Sequence, residues 1–494
     1  MGEKKERTLK ERILSGVFWK LLENGGTQGI LFIVTVLLAR LIEPAEYGVL
    51  TITTIFVSIA GVFVQSGFSL SLVQRKDCDD TDLSSVFWFT LAAAFILYSI
   101  LYLSAPLIAD YYNQEKVVSA LRVIAIILFF GAVSSVQTAI IMRQLEYRKR
   151  FFVSLVSVLL SGTVGITMAL KGFGVWALIA EQITDNLTMC IGLTIATRWL
   201  PAFIFSFSRI KSLFSFGWKL VVSSFLDTVY SDLSGLIIGR RYNTAMLAQY
   251  DKGRKFPQLI ITNATGAIQS AAFPAFSKTQ TDLPRLKSML RRSVMLSAFL
   301  MFPMMAGLAA VASPLVHILL TDKWMGSVPF MQVFCIMFAM YPIDATVLQA
   351  FNGIGRSDVY LKLEVAKKIC GILLLVIAVF LFDSSIAIAW SLAFTAVFSV
   401  LFNAIPAKTL FNYTYREQLK DILPSLVLSL AMFGIVSLVS LFPIHDYLLL
   451  AIQILAGFFF YAGTASLLHM EEMNYLIKTA REWINKRSAQ RIKE

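Results

Sequence analysis

The chain has 494 residues, of which 57% are hydrophobic and 15% are charged, and its formal net charge is +13. A water-soluble protein of this composition would expose large apolar patches, so the sequence excludes a soluble globular protein. We therefore predict an all-α integral membrane protein that crosses the bilayer many times.

Apolar segments of membrane-spanning length recur along the chain, because about 20 helical residues cross the ~30 Å hydrocarbon core. No long polar stretch separates them, so we expect no soluble catalytic domain and no enzyme activity. We predict about fourteen transmembrane helices, near residues 14–39, 45–72, 83–107, 117–142, 151–170, 174–197, 211–239, 244–275, 289–320, 328–352, 358–381, 384–406, 421–442 and 447–468.

Lysine and arginine residues concentrate in alternate connections, notably within residues 4–12, 143–150 and 278–292 and at the C-terminal end. The positive-inside rule places these connections in the cytoplasm, so both termini are predicted to be cytoplasmic and the number of spans even. This basic face accounts for the net charge, and we predict no nucleic-acid partner. The cysteines and histidines are scattered, which predicts neither a metal site nor a cofactor.

A short motif recurs in the first and seventh spans. Trp19-Lys20-Leu21 is matched by Trp218-Lys219-Leu220, and an arginine follows each motif at the far end of its span. Six spans separate the two copies, which predicts two similarly oriented six-helix lobes with the transported molecule between them. The predicted domains are an N-terminal lobe at 1–200, a C-terminal lobe at 201–410, two extra helices at 411–470 and a cytoplasmic amphipathic tail at 471–494.

Polar side chains inside the spans are the candidates for function, because a charge at mid-bilayer costs at least ~2.5–3.5 kcal/mol. Lysines on two repeat-related helices and a basic cluster in the eighth span favour a large anionic cargo, such as a lipid-linked sugar phosphate. The predicted substrate-binding residues are Lys20, Asn24, Gln28, Lys219, Lys252, Arg254, Lys255 and Gln258, and the predicted ion-coupling residues are Glu23, Asp185 and Asp227.

Structural interpretations of the same residues remain open. Lys20 and Lys219 lie close enough to the ends of their spans to extend to the membrane surface without touching any substrate. Glu364 is three residues from Lys367 and four from Lys368, and either spacing suits a local ion pair on one helix near the cytoplasmic surface.

Two sequence blocks resemble a known family. The first runs from Gly16 to Trp19 and continues at 37–48 as LLARLIEPAEYG, and the second runs from Leu247 to Pro257 as LAQYDKGRKFP, followed by Phe273-Pro274. Both are similar to polysaccharide transporters of the multidrug/oligosaccharidyl-lipid/polysaccharide exporter superfamily, in the branch that includes colanic acid and teichuronic acid exporters. The charges of residues 251–255 depart from the usual family block, which leaves the sugar specificity open.

The resemblance implies two six-helix lobes, two extra C-terminal helices and residence in the bacterial inner membrane. It implies that the protein flips an undecaprenyl-pyrophosphate-linked oligosaccharide to the outer leaflet, with coupling to an ion gradient. Membrane lipids, a polysaccharide polymerase and assembly proteins are candidate partners, and the oligomeric state is left open, with a monomer as one option. Alternative functions are an organic-cation antiporter, a flippase of the peptidoglycan lipid precursor, and a non-transporting assembly protein.

Overall fold

A computed structural model describes residues 19–20, 22–65, 68–75, 77–279, 282–475, 477–478 and 481–482. The regular structure within these ranges is helical and includes no strand, so the all-α prediction is confirmed. After a π-helical turn at Glu23–Thr27, the α-helices are α1 Gln28–Leu41, α2 Pro44–Gln65, α3 Phe68–Gln74, α4 Asp80–Tyr112, α5 Lys116–Ile124, α6 Ile127–Gln144, α7 Tyr147–Leu170, α8 Val175–Thr197, α9 Phe207–Arg241, α10 Thr244–Lys278, α11 Leu283–Ala310, α12 Ala312–Leu320, α13 Ser327–Gly353, α14 Ser357–Leu381, α15 Ser385–Phe411, α16 Tyr415–Val439 and α17 Asp446–Leu467.

Each predicted span coincides, as far as the described residues reach, with one long helix or with two consecutive shorter helices. Ten helical segments in the described ranges are long and apolar enough to cross a membrane. The other four contain α1, which is short, and α8, α10 and α14, each of which carries at least two charged side chains. The count of fourteen spans and the cytoplasmic location of the termini stay predictions.

The chain divides into two compact units, Met1–Ala248 and Gln249–Glu494. In the first unit, α8 packs against α6 and α7, and α9 packs against α2 and α4. In the second unit, α11 packs against α13 and α16, and α15 packs against α13 and α14. The borders of the two predicted lobes were chosen from the repeated sequence motif, and they stay predictions.

The connection between α8 and α9 is fixed to the beginning of α4. The indole Nε1 of Trp88 donates a hydrogen bond to the carbonyl oxygen of Ala202 at 2.9 Å, and the amide of Ala202 donates to the hydroxyl of Ser84 at 3.1 Å. One turn into α9, an Nη of Arg209 lies 3.4 Å from the fully buried carboxylate of Asp82. These contacts hold the first turn of α9 in place, and α9 carries two of the predicted site residues.

Candidate functional site

Two predicted site residues of the first span, Lys20 and Glu23, belong to an ion-paired cluster. Glu23 is 7% exposed, and its two carboxylate oxygens lie 3.2 Å from Nζ of Lys20 and 2.9 Å from Nε of Arg150 on α7. Next to them, the guanidinium of Arg148 lies 5.4 Å from the ring centroid of Trp19. Because Glu23 faces two cations, its charge is compensated within the protein.

The lysine of the second copy of the motif has a different environment. Lys219 is exposed on α9, and no hydrogen bond or ion pair joins it to another residue in the described ranges. It lies two residues inside the apolar segment Gly217–Arg241, which is long and apolar enough to cross a membrane. Asp227, two turns further along the same helix, is also exposed. The roles of Lys219 in substrate binding and of Asp227 in ion coupling stay predictions.

The first span contains two more predicted substrate-binding residues, Asn24 and Gln28. Gln28, the first residue of α1, is exposed. The side chain of Asn24 lies outside the described part of the chain. The substrate-binding roles of both residues stay predictions.

An uncharged polar cavity of about 350 Å³ lies within the first unit, between α2, α5, α6 and α8. Its polar lining consists of hydroxyl and amide side chains, and the rest of its wall is apolar or glycine. Hydroxyls and amides can both donate and accept hydrogen bonds, which suits them to neutral sugar hydroxyls. The polar lining residues are Thr54, Ser58, Gln65, Gln182 and Asn186.

The predicted ion-coupling residue Asp185 lies on α8, between the lining residues Gln182 and Asn186 in the sequence. Its carboxylate Oδ1 accepts a hydrogen bond from the hydroxyl of Ser157 on α7 at 2.7 Å. The sequence analysis missed the α2 side of the cavity. A signal was present, because Thr54, Ser58 and Gln65 follow helical spacing on one face of an otherwise apolar span.

The three cations of the basic cluster on α10, Lys252, Arg254 and Lys255, have different environments. Lys252 is 2% exposed, and its Nζ lies 5.4 Å from the ring centroid of Trp324. The side chain of Lys255 is 54% exposed, and its Nζ lies 2.8 Å from the carboxylate of Asp251. Arg254, which lies between these two lysines in the sequence, is half-buried. Asp251 thus offsets part of the repulsion among the three cations of this helix.

Gln258, one turn beyond the basic cluster on α10, is half-buried. Its backbone carbonyl oxygen accepts a hydrogen bond from the hydroxyl of Thr262 at 3.1 Å. The roles assigned to Lys252, Arg254, Lys255 and Gln258 in binding stay predictions.

A second charged cluster, which the sequence analysis did not assemble, lies in the second unit. Nζ of Lys367 on α14 is 2.7 Å from a carboxylate oxygen of Asp344 on α13 and 3.2 Å from Glu364 on its own helix. The amide Nδ2 of Asn403 on α15 donates to the same Asp344 oxygen at 2.9 Å. The local pair between Glu364 and Lys367 exists, but Lys367 lies closer to Asp344.

At the side predicted to be cytoplasmic, the second unit contains a cavity of about 760 Å³ between α11, α16 and the segment after α17. Its wall includes Arg291, whose guanidinium forms two hydrogen bonds of 2.8 and 2.6 Å with the carboxylate of Asp421. The fully buried hydroxyl of Tyr413 donates to the same carboxylate at 2.8 Å. Burial, together with the Asp421 charge, raises the pKa of Tyr413, so this hydroxyl stays a donor.

We predict that Asp421→Asn destabilises the protein. The substitution removes the charge from a bidentate pair and from a bond to a buried hydroxyl, and hydrogen bonds to charged groups contribute about 1.5–3 kcal/mol each. Thermal unfolding of the detergent-purified protein measures the effect, with Lys420→Ala on the same cavity wall as the matched control. Equal unfolding temperatures for the two variants would show that the pair contributes no net stability.

The profile of the polysaccharide biosynthesis protein family matches residues 37–329, which is more than half of the chain. The chain belongs to this family. The matched range begins with the first block that carries the sequence resemblance and includes the second.

Relatives and a solved structure extend the match over most of the chain. The succinoglycan biosynthesis transport protein ExoT of Rhizobium meliloti is 24% identical over 70% of each chain. The teichuronic acid biosynthesis protein TuaB of Bacillus subtilis is 23% identical over 91% of this chain and 94% of its own. The lipid II flippase MurJ, in an inward closed conformation, has the same fold, with a TM-score of 0.72, 15% identity, and coverage of 92% of this chain and 99% of its own.

These similarities and the ten apolar helices of the described ranges make this family member a multi-pass protein of the bacterial inner membrane. The predicted resemblance to polysaccharide exporters and the predicted all-α membrane fold are confirmed. The roles of individual site residues stay predictions.

Proposed function

We propose that this protein is a flippase that moves an undecaprenyl-pyrophosphate-linked oligosaccharide from the cytoplasmic to the outer leaflet for surface polysaccharide biosynthesis. The observation that carries the proposal is the similarity to the teichuronic acid protein over 91% of the chain. The similarity to the succinoglycan transport protein supports the same function. Movement of the cargo requires no covalent chemistry, so the proposal includes no enzyme activity.

Two features of the first unit support a cargo that has both a phosphate and sugars. Lys219 is exposed near the start of the apolar segment Gly217–Arg241. If that end of the segment meets the lipid headgroups, Lys219 would face the pyrophosphate of a polyprenyl-linked cargo. A lysine ammonium is a point charge that binds phosphate. The cavity lined by Ser58, Gln182 and Asn186 offers hydroxyl and amide partners, and the Ser58 hydroxyl also donates to the carboxylate of Asp232 at 3.5 Å.

Alternating access would expose the cargo site first to the cytoplasm and then to the outside. The polyprenyl tail would stay in the lipid throughout, because its transfer to a polar cavity has no compensating interaction. A polysaccharide polymerase and assembly proteins on the outer side are the proposed partners, since they would consume the flipped product.

Deletion of the gene is expected to remove the polymer from the cell surface and to leave the cell viable. Lipid-linked oligosaccharide repeat units should accumulate on the cytoplasmic side, because they are made there and no longer cross. Chemical analysis of extracted lipid-linked sugars measures this accumulation and identifies the glycan. The control is the same strain carrying an intact copy of the gene.

Other results would assign one of the alternative functions. A lethal deletion with accumulated peptidoglycan precursor would assign the protein to that lipid. Normal surface polymer, together with increased sensitivity to organic cations, would assign it to drug antiport.

A further inference from the structure

The proposed function assigns no role to the cavity of about 760 Å³ in the second unit, which lies where α11 and α16 begin and α17 ends. The charged residues of α11 and α16 all lie near these beginnings, at 285–292 and 416–421, and the first carboxylate after α17 is Glu471. With 28 residues, α11 is about 12 Å longer than the ~30 Å hydrocarbon core. Charged side chains avoid that core, so the cavity lies at the polar ends of three spans.

Two ion pairs account for part of the charge around this cavity. The guanidinium of Arg291 is bound by the carboxylate of Asp421, and Nζ of Lys287 lies 2.8 Å from the carboxylate of Glu417. Each of these cations already has a carboxylate partner. The charges that remain for a ligand are therefore those of other lining residues.

Glu472 lines the cavity without a cation beside it. It is 8% exposed, and within the described ranges no side chain forms a hydrogen bond or ion pair with its carboxylate. Burial, together with the charges of Glu471 and Asp421, raises the pKa of Glu472. A ligand ammonium within hydrogen-bond distance would stabilise the ionised carboxylate, because an opposite charge favours the charged form.

Two cations of the lining have no carboxylate partner in the part of the chain that the structure describes. Lys420 is exposed on α16 and forms no hydrogen bond there. The guanidinium of Arg292 lies 4.9 Å from the ring centroid of Tyr475. A guanidinium in contact with a ring keeps N–H donors for a phosphate, and a lysine ammonium binds phosphate as a point charge.

These unpaired charges balance one another without touching. Arg292 and Lys420 are matched by Glu471 and Glu472, and among the described residues no ion pair joins the two sets. The carboxylates would repel a purely anionic ligand and the cations a purely cationic one, whereas a ligand with one phosphate and one ammonium would compensate both. The other titratable lining group is His469, whose ring contacts a backbone carbonyl. The remaining described charges of α11, α16 and residues 468–482, apart from Glu417, do not line the cavity: Arg285, Arg416, Lys478, Arg481 and Glu482.

We propose that this cavity binds the headgroup of a zwitterionic phospholipid that carries a primary ammonium. The phosphate would contact Lys420 and Arg292, and the ammonium would donate to Glu471 and Glu472. A primary ammonium has three N–H donors and a trimethylammonium has none, so an ethanolamine headgroup suits the carboxylates and a choline headgroup does not. The bound headgroup would hold the segment after α17 against α11 and α16. The inference uses no residue assigned to the cargo, so it does not depend on the flippase assignment.

Thermal unfolding of the full-length protein in lipid-free detergent, with short-chain phospholipids added, tests the site. A ligand that binds only the folded state raises the unfolding temperature. Dihexanoyl phosphatidylethanolamine should do so at about one tenth of the concentration needed for the phosphatidylcholine or phosphatidylglycerol of equal chain length, which corresponds to one charged contact. Equal concentrations for the three lipids would overturn the proposal.

Glycerophosphoethanolamine, which has the same headgroup without acyl chains, separates a lipid from a soluble phosphate ester. It should stabilise the protein only at much higher concentrations than the lipid. Stabilisation at the same concentrations would show that the ligand is a soluble zwitterion and would overturn the lipid assignment.

Glu472→Gln should remove the about tenfold preference for phosphatidylethanolamine over phosphatidylglycerol. It should not lower the unfolding temperature without lipid, because the lost charge has no cation partner in the described ranges. Lys420→Ala should unfold at the native temperature without lipid and should bind both lipids more weakly.

The matched control is Glu482→Gln, which removes an equal charge from the same segment outside the cavity and should leave the preference unchanged. A preference for ethanolamine that survives in Glu472→Gln would show that the carboxylate does not bind the ammonium and would overturn the proposal.

Discussion

Replacing Lys219 with alanine is expected to abolish polymer at the cell surface while leaving the abundance of the protein unchanged. Lys219 is exposed and joined to no other residue by a hydrogen bond or ion pair in the described ranges, so its removal takes away no internal contact. It does remove a cation near the start of the apolar segment Gly217–Arg241, where we propose that the pyrophosphate of the cargo first meets the protein. Quantification of surface polymer and immunoblotting of membranes measure the two effects.

Lys211→Ala is the matched control for this prediction. Lys211 is an exposed lysine on the same helix, six residues before the apolar segment Gly217–Arg241 begins, and its loss should leave the polymer unchanged. Lys219→Arg keeps the charge and should retain most of the export. If Lys219→Ala cells make normal polymer, the lysine extends to the membrane surface for structural reasons alone, and the phosphate role is wrong.

Gly48→Ala is expected to prevent accumulation of the folded protein. A β-carbon on Gly48 would lie 1.9 Å from the backbone carbonyl oxygen of Thr244, and a backbone atom cannot move aside as a flexible side chain can. Overpacking a well-packed core costs about 1–3 kcal/mol where side chains absorb it, and here α2 would have to separate from the start of α10. Membrane abundance and thermal unfolding in detergent measure the loss.

Gly434→Ala is the matched control, because a β-carbon there meets nothing within 4 Å and the residue lies inside the α16 helix. This substitution should be neutral or slightly stabilising, since alanine favours helices more than glycine. Normal abundance of the Gly48→Ala protein would show that the close approach of α2 to Thr244 is dispensable.

The same geometry explains why both resembling blocks contain a glycine. Gly48 follows Tyr47 in the first block, and Gly253 lies in the second, where a β-carbon would be 2.8 Å from the carbonyl oxygen of Ser327. Each block is therefore a place where two backbones meet closely. The resemblance reflects packing at these positions as well as any contact with cargo.

The sequence by itself determined the fold class and the positions of the helices. An apolar helix satisfies its own backbone hydrogen bonds, so length and hydropathy are enough to predict a membrane-spanning segment. The sequence also predicted a local ion pair between Glu364 and Lys367, because residues three apart lie on one face of a helix. Such local signals do not depend on how the helices pack.

Only the tertiary structure decided which distant residues meet. Arg150 on α7 reaches Glu23, Asp344 on α13 joins Lys367 as a second partner beside Glu364, and Thr54 on α2 shares a cavity with Gln182 on α8. These partners depend on the rotation of each helix about its axis and on the depth at which two helices cross, and helical periodicity specifies neither. The charges of this protein were therefore visible in its sequence, whereas their partners were not.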